Sequence, residues 1–423
     1  MKVLIVGGGG REHALAWALH RSPEVERICA APGNPGMEAV ATSVATAATD
    51  IPGVVEFVDR EGIDLTVVGP EAPLVAGLVD ELQRLGHAAF GPTADAARIE
   101  GSKAWARDLC ARHGIPAPSF ATFTDRAPAV AHLEAIEGPF VVKADGLAAG
   151  KGVIVTEDRS EAIRAVDDAL VRGRFGKAGN RVVIEEHLTG REVSALGITD
   201  GHTVLPLVLA QDHKRALDGD RGPNTGGMGA FSPVPAIDPQ TEARIVKESL
   251  EAAVQAMAAE GIEYRGVLYA GLMVTEDGPR VLEYNCRFGD PETQAVLPRL
   301  GSSLAPVLAA AARGDLGGAV LSWRTEACVT IILASEGYPG AHPTGLPIQG
   351  LEAAADMEDV LVFHAGTASR DGRVVTAGGR VLAVSALGTD LGTARRRAYQ
   401  AAEGISFPGM HLRTDIGKEA AGE

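Results

Sequence analysis

Cysteine is scarce: the 423 residues contain four, Cys29, Cys110, Cys286 and Cys328. They lie far apart, form no C-x-x-C pair and make no disulfide framework, so a reducing compartment, the cytoplasm, is the expected setting. Positive charge is short as well. Lys and Arg number 39 against 55 Asp and Glu, a net charge of −16. That balance argues against non-specific nucleic-acid binding, and any anionic ligand must find local Lys, Arg or backbone N–H groups. Long apolar runs are missing: none reaches membrane-spanning length, and the N-terminal one is too short for a signal peptide. Nucleic acid and membrane therefore drop out as expected partners. Small-molecule substrates remain, and a monomer is the expected state.

What is present is a globular composition, 46% hydrophobic and 22% charged, on a chain long enough for two to four domains. Short apolar strands at 2–6, 27–31, 63–70 and 87–92 alternate with helical stretches, one amphipathic over Arg11–Arg21 and one over Val75–Leu85. This is the pattern of a doubly wound parallel sheet in residues 1 to about 100. The texture then changes. Residues 139–186 read strand, glycine loop, strand, helix (Ser160–Arg172), strand. Two antiparallel hairpins turn at Asp200-Gly201 and Asp277-Gly278, with a long helix over Pro239–Glu260 between them. From Ala327 the chain is strand-rich again and closes with a helix, which reads as a separate C-terminal cap.

Two glycine clusters carry chemistry. GGGGREHA (7–14) lies between a strand and a helix, where backbone N–H groups can hold an anion. It misses the dinucleotide fingerprint, since the third glycine would fall on Glu12 or His13 and no acid ends the second strand. A small phosphate site with a nearby sugar-hydroxyl acceptor fits better than a plain turn. Glu71, after Gly69-Pro70, closes a strand at the same sheet edge and can serve the same ligand. Its plainer reading is a helix N-terminal acid.

The second cluster, Gly146-Leu-Ala-Ala-Gly150-Lys151-Gly152, is one residue short of a Walker A loop, lacks its Ser/Thr and runs into a strand instead of a helix. A glycine hairpin closing over a triphosphate, with Lys143 and Lys151 offsetting charge, fits better. In VLEYNC (281–286), Glu283 and Asn285 are two apart on a strand and leave the same face, while Tyr284 points away. One carboxylate and one amide oxygen suit a magnesium ion shared with phosphates. Arg287, Asp290 and Glu292 follow at once, a density of polar groups hard to reconcile with a solvated turn. His13, His113 and His132 read as surface or packing residues. His213 is not assigned as a base, and Cys286 reads as a small packed residue.

Taken in order, Lys143, the glycine hairpin, IEEHLTGRE (184–192) and E-x-N resemble the ATP-grasp superfamily. Within it, GGREHALAW (9–17), KADGLAAGKG (143–152), GPNTGGMGAFSP (222–233) and RFGDPET (287–293) are similar to the phosphoribosylamine–glycine ligase family, over Met1 to about Asp415. The resemblance implies ATP-dependent ligation of glycine to 5-phosphoribosylamine, through glycyl phosphate, in purine biosynthesis. It also implies magnesium or manganese as the metal and ATP as co-substrate. Domains are expected at 1–102 (phosphoribosyl-binding), 103–122 with 189–326 (main ATP-grasp lobe), 123–188 (small mobile lobe) and 327–423 (C-terminal).

Carried over by residue, the resemblance gives ATP to Lys103, Lys143, Glu185, Glu186, Leu188 and Glu192, and to the lid Gly146, Leu147, Ala148, Ala149, Gly150, Lys151, Gly152 and Val153. The backbone around Glu185–Leu188 would read adenine, and Glu192 the ribose hydroxyls. Metal falls to Glu283 and Asn285. Gly9, Glu12 and Glu71 would hold the phosphoribosyl group, with Asp290 near its amine. Asn224, Gly226, Gly227 and Met228 would face glycine, with Arg287, Asp212 and Lys151 in catalytic roles. The strand that often carries another acid, Tyr269–Met273, has none here.

Overall fold

The computed structural model describes residues 1–148 and 152–423. Five parallel strands form the N-terminal sheet, in the spatial order Thr42–Ser43, Arg27–Pro32, Lys2–Gly7, Leu65–Val68, Ala89–Phe90. Lys2–Gly7 sits centrally, with Val3 opposite both Ile28 and Leu65. Its unbroken apolar run is what a parallel strand covered on both faces needs. The order reverses direction beside this strand, so its carboxyl end and that of Leu65–Val68 open one crevice. The two N-terminal site motifs leave from those ends.

Two expectations for this region change. The helix Gly10–His20 is not amphipathic but buried nearly all round, because residues from the far end of the chain cover its outer side. The aromatic ring of Phe363 packs edge-on against His13. The helix expected over Val75–Leu85 starts earlier, at Glu71, and is split into Glu71–Val75 and Leu78–Arg84 by Gly77 at φ 89°. A further helix, Ile51–Glu61, escaped the sequence reading despite plain signals. Asp50 caps it through Gly53 N–H, Pro52 sits in the first turn and Gly62 ends it in the left-handed region.

Next comes a four-stranded antiparallel sheet, ordered Phe120–Phe123, Val182–Glu185, Phe140–Ala144, Val153–Thr156. With the helices Arg126–Ala135 and Arg159–Val166 it encloses its own core around Leu133, Phe140, Val142, Val166 and Ile184. A unit with a private core can move without breaking its neighbour's packing.

The facing lobe is a second antiparallel sheet, ordered Val204–Pro206, Arg191–Thr199, Gly266–Thr275, Gly278–Asn285. Both expected hairpins are present. The long helix beneath it is interrupted by a wide turn at Val246–Glu251. Apart from the small hairpin of Thr367–Arg370 and Arg373–Thr376, the C-terminal strands share a sheet with earlier parts of the chain. Ala327–Ala334, Arg380–Gly388 and Val360–His364 are extended by Gly229–Ser232 and Gln211–Asp212 from the middle of the chain. Residues flanking the GPNTGGMG motif are thus anchored in the C-terminal sheet.

Candidate functional site

Glu283 and Asn285 lie on the strand Gly278–Asn285, and Tyr284 between them turns inward to donate to the Ser249 carbonyl at 2.8 Å. A bulge precedes them: Gly271 pairs with Glu283 while Leu272 pairs with Val281, leaving Leu282 without a partner. The freed Leu282 carbonyl accepts from Lys143 Nζ at 3.0 Å and from Arg107 Nη2 at 2.6 Å. Lys143 also meets Glu185 Oε2 at 2.7 Å, and Arg107 grips the same carboxylate with both Nε and Nη2. The Glu185 side chain is therefore spent inside the protein, and only its backbone is left for a ligand. Burial pushes its carboxyl up, but Lys143 and Arg107 more than offset this and hold it below the usual range. Arg107 was missed in the sequence. Its signal was its place one helical turn after Lys103, on the same face of Lys103–His113.

Lys103 reaches the Gly146 carbonyl at 3.1 Å, and Asp145 ties down the start of that helix through Ser102 Oγ and Ala104 N–H. Leu147 is exposed, Ala148 half-buried, Gly152 buried and Val153 starts the returning strand. Ala149, Gly150 and Lys151, expected in the lid, lie outside the described residues. Glu186 is exposed and bonded to Ser119, with Leu188 buried beside it. Lys214 stands between Glu192 and Glu283, at 3.4 Å from each.

The chemistry of Glu283 and Asn285 suits a hard cation. Burial pushes Glu283 up, yet Lys214, Lys143 and Lys103 bring it down to about 2, so it is ionised at neutral pH. Among the described residues no three His, Cys, Asp or Glu side chains converge as a metal cage. One carboxylate and one amide oxygen fit an ion that takes its other oxygens from phosphate and water. Nearby, Glu292 is buried and accepts from Ser194 Oγ at 3.1 Å and Tyr269 Oη at 3.0 Å. Burial, Glu292, Glu192 and Glu283 push Asp212 up to about 8 against the pull of Lys214.

At the crevice of the parallel sheet, Glu12 folds back to accept from Gly9 N–H at 2.6 Å and from Arg11 at 2.7 Å. The space it fills explains Gly69, where a Cβ would lie 2.1 Å from Glu12 Oε1. Glu71 meets Arg287 Nε at 3.2 Å, and the same guanidinium reaches Glu100 Oε1 and Asn285 Oδ1, each at 3.2 Å. One arginine thus touches both Glu71 at the parallel-sheet crevice and Asn285 on the strand Gly278–Asn285. Asp290 is held by Gln294 Nε2 at 2.8 Å and by Arg380 at 3.3 Å. Gln294 Oε1 is buried without a partner among the described residues. Neither Arg380 nor Glu100 was singled out from sequence, because each acts across more than 80 residues.

The hairpin of strands Arg215–Leu217 and Arg221–Asn224 links Lys214 to the Thr225–Met228 loop. The last stretch of the chain straps it down. Arg413, its side chain 1% exposed, binds Asp415 through two nitrogens, Asp220 at 2.8 Å and the Arg215 carbonyl at 3.1 Å. His213 accepts Gly417 N–H on Nε2 at 3.2 Å, so Nδ1 carries the ring proton and faces the strap, 3.9 Å from Asp220 Oδ1. Cys286 is buried, and burial raises its thiol well above the usual range, as befits a packing residue.

Comparison with known proteins finds three family matches in chain order. Residues 1–100 match the phosphoribosylglycinamide synthetase N domain, 101–293 its ATP-grasp (A) domain and 328–419 its C domain. A phosphoribosylamine–glycine ligase of Allochromatium vinosum is 52% identical over 423 residues, covering 99% of each chain. The crystal structure of the Thermotoga maritima phosphoribosylamine–glycine ligase superposes with a TM-score of 0.86 at 32% identity, covering 98% of this chain and all of that one. The biotin carboxylase domain of Hydrogenobacter thermophilus 2-oxoglutarate carboxylase, solved with MgADP and bicarbonate, shares the fold at TM-score 0.74. It is 15% identical, with 97% of this chain and 91% of that one covered.

Proposed function

Since the chain belongs to the phosphoribosylglycinamide synthetase family, we infer that its two glycine loops and its metal pair form one ligase centre. The chain is an enzyme that joins glycine to 5-phosphoribosylamine with conversion of ATP to ADP and phosphate, in purine biosynthesis. The observation that carries the single-centre reading is Arg287, which bridges Glu71 at the parallel-sheet crevice and Asn285 in the metal pair.

A carboxylate does not acylate an amine at neutral pH, so glycine must first be activated. In this reading a glycine carboxylate oxygen attacks the γ-phosphorus and ADP leaves. The amine of phosphoribosylamine then attacks the carbonyl carbon of glycyl phosphate, loses a proton, and phosphate departs with that oxygen. Lys103, Lys143 and Lys214 line the phosphate path and favour charge on the passing phosphoryl, mainly by positioning and electrostatics. Glu283 and Asn285 would hold a divalent cation, magnesium or manganese, which when bound neutralises phosphate charge. Backbone groups near Glu186 and Leu188 receive adenine, with Glu192 at the ribose. Gly9, Glu12 and Glu71 take the phosphoribosyl group, Asp290 lies near the amine, and Asn224–Met228 faces glycine with Asp212. The lid over 146–153, including Ala149, Gly150 and Lys151, excludes water from the acyl phosphate. The private core of the small lobe supports its closing as a unit.

No helix of the described residues is long and apolar enough to cross a membrane. Four buried free thiols favour a cytoplasmic enzyme. The test of the reaction is ADP release with glycine and phosphoribosylamine each omitted in turn. Glycine labelled with oxygen-18 in its carboxylate should yield singly labelled phosphate. Label in AMP would replace acyl phosphate by adenylate.

A further inference from the structure

The GPNTGGMG motif and the RFGDPE motif are separate in sequence, yet one side chain from the C-terminal sheet joins them. Arg380, at the start of the strand Arg380–Gly388, donates from Nη1 to the Gly226 carbonyl at 2.5 Å and to the Asp290 carbonyl at 2.7 Å. Its Nη2 meets Asp290 Oδ2 at 3.3 Å. On the same loop, Tyr338 Oη accepts from Gly226 N–H at 3.0 Å. The glycines of the motif are what this grip requires. A Cβ on Gly226 would lie 3.0 Å from Arg380 Cζ, and Gly227, at φ 108°, would place one 2.4 Å from Pro291 Cδ. The loop is thus pressed between Arg380 on one side and Pro291 on the other, tight for a Cβ at Gly226 and too tight at Gly227 unless something shifts.

We propose that Arg380, assisted by Tyr338, is a positioning residue that holds the glycine-facing loop and the amine-facing Asp290 in register. This rests on the reading of those two loops given above. Arg380 does not touch the reacting atoms in this account. It sets the distance between the loop that shelters the acyl phosphate and the carboxylate beside the attacking amine. A clamp of this kind governs coupling. If the loops part, the acyl phosphate outlives the approach of the amine, and water attacks the carbonyl carbon instead. That side reaction returns glycine and phosphate, so ATP is consumed without ligation.

The readout is the ratio of ADP released to glycinamide ribonucleotide formed, measured with KM for glycine and phosphoribosylamine and with Kd for Mg-ATP. Wild-type enzyme must first show ADP release dependent on both substrates; if it does not, the functional reading fails, whatever the clamp does. Arg380→Met should raise KM for phosphoribosylamine and lower ligation by up to about 100-fold, as expected for a misplacement near 1 Å. The ratio should rise well above one, with Mg-ATP binding within about twofold of wild type, since uniform substrate binding and coupling are separable. Arg380→Lys keeps the charge on Asp290 but not the fork to two carbonyls, and should restore only part of the coupling. Should Arg380→Met fail to fold, Tyr338→Phe removes one hydroxyl from a half-exposed ring and serves in its place, with a smaller rise in the ratio. A ratio of one in folded Arg380→Lys and Tyr338→Phe would overturn the proposal. So would loss of Mg-ATP binding in parallel with substrate binding, which marks a merely structural residue.

Discussion

Replacing Glu185 by Gln tests how Arg107 and Lys143 are held. The carboxylate, its side chain 2% exposed, is contacted by Arg107 Nε at 2.7 Å, Arg107 Nη2 at 3.0 Å and Lys143 Nζ at 2.7 Å. Removing one partner of a buried ion pair costs about 3–5 kcal/mol because the other charge stays behind uncompensated. Here two cations stay behind. The Gln oxygen still accepts one hydrogen bond, which places the expected loss near the lower figure, about 3 kcal/mol. Opening of the strand Val182–Glu185 should therefore become about 100-fold easier, read as faster amide hydrogen exchange in that strand. Kd for Mg-ATP should rise with it, since Lys143 loses its anchor. A second arm isolates the cause. If stranded charge is responsible, adding Arg107→Met to Glu185→Gln should recover at least about 1 kcal/mol of the loss. Losses that instead add within about 0.5 kcal/mol would refute the reasoning, leaving only lost packing.

Further outcomes follow from the same contacts. Burial, reinforced by His364, lowers His13 from 6.5 to about 3, and burial lowers His364 to about 4. Both stay neutral in the fold but protonate near 6.5 in the open chain. Their share of stability is thus present at neutral pH and lost as pH falls below 6.5, at about 1.4 kcal/mol per pH unit for each histidine. Urea unfolding at pH 7, 6 and 5 should show this slope, and His13→Gln should reduce it; an unchanged slope counts against the buried pair. Gly227→Ala forces a Cβ to 2.4 Å from Pro291 at φ 108°, a strain of about 1–3 kcal/mol. Ligation should fall while Mg-ATP binding holds, and full activity would show that the loop is free to shift. Glu283→Gln should raise the magnesium requirement at least 10–100-fold, the loss that even an outer-shell change produces. Unchanged magnesium titration would place the metal elsewhere.

The legible parts of the site were those written into one strand or one loop. Glu283 and Asn285 could be paired from sequence because a strand has a period of two, and Tyr284 indeed faces the other way. The parallel sheet was legible from its apolar runs. The roles of Glu185 and of the glycines in GPNTGGMG were not, because they depend on Arg107 and Arg380, whose partners lie 78 and 154 positions away. The same distance hid the burial of helix Gly10–His20: its outer side meets Phe363 and His364, which no local pattern announces. By contrast the helix Ile51–Glu61 is marked locally, by Asp50, Pro52 and Gly62.

The strap formed by Arg413, Asp415 and Gly417 has a consequence for the order in which the enzyme becomes competent. The hairpin next to Lys214 is fixed by contacts that span about 200 positions, such as Arg413 to Asp220 and Gly417 to His213. The strand Gly229–Ser232 waits likewise for Ala327–Ala334. During synthesis the N-terminal sheet and the small lobe are complete early, because their strands pair over short stretches of chain. Those two sheets can therefore be paired while the hairpin is still loose, and the outer side of helix Gly10–His20 stays open until Phe363 and His364 arrive. The hairpin beyond Lys214 is fixed only once Arg413 and Gly417 have reached Asp220 and His213. Docking of the Arg413–Gly417 strap, rather than folding of any one sheet, is thus the step that fixes the backbone on either side of Lys214.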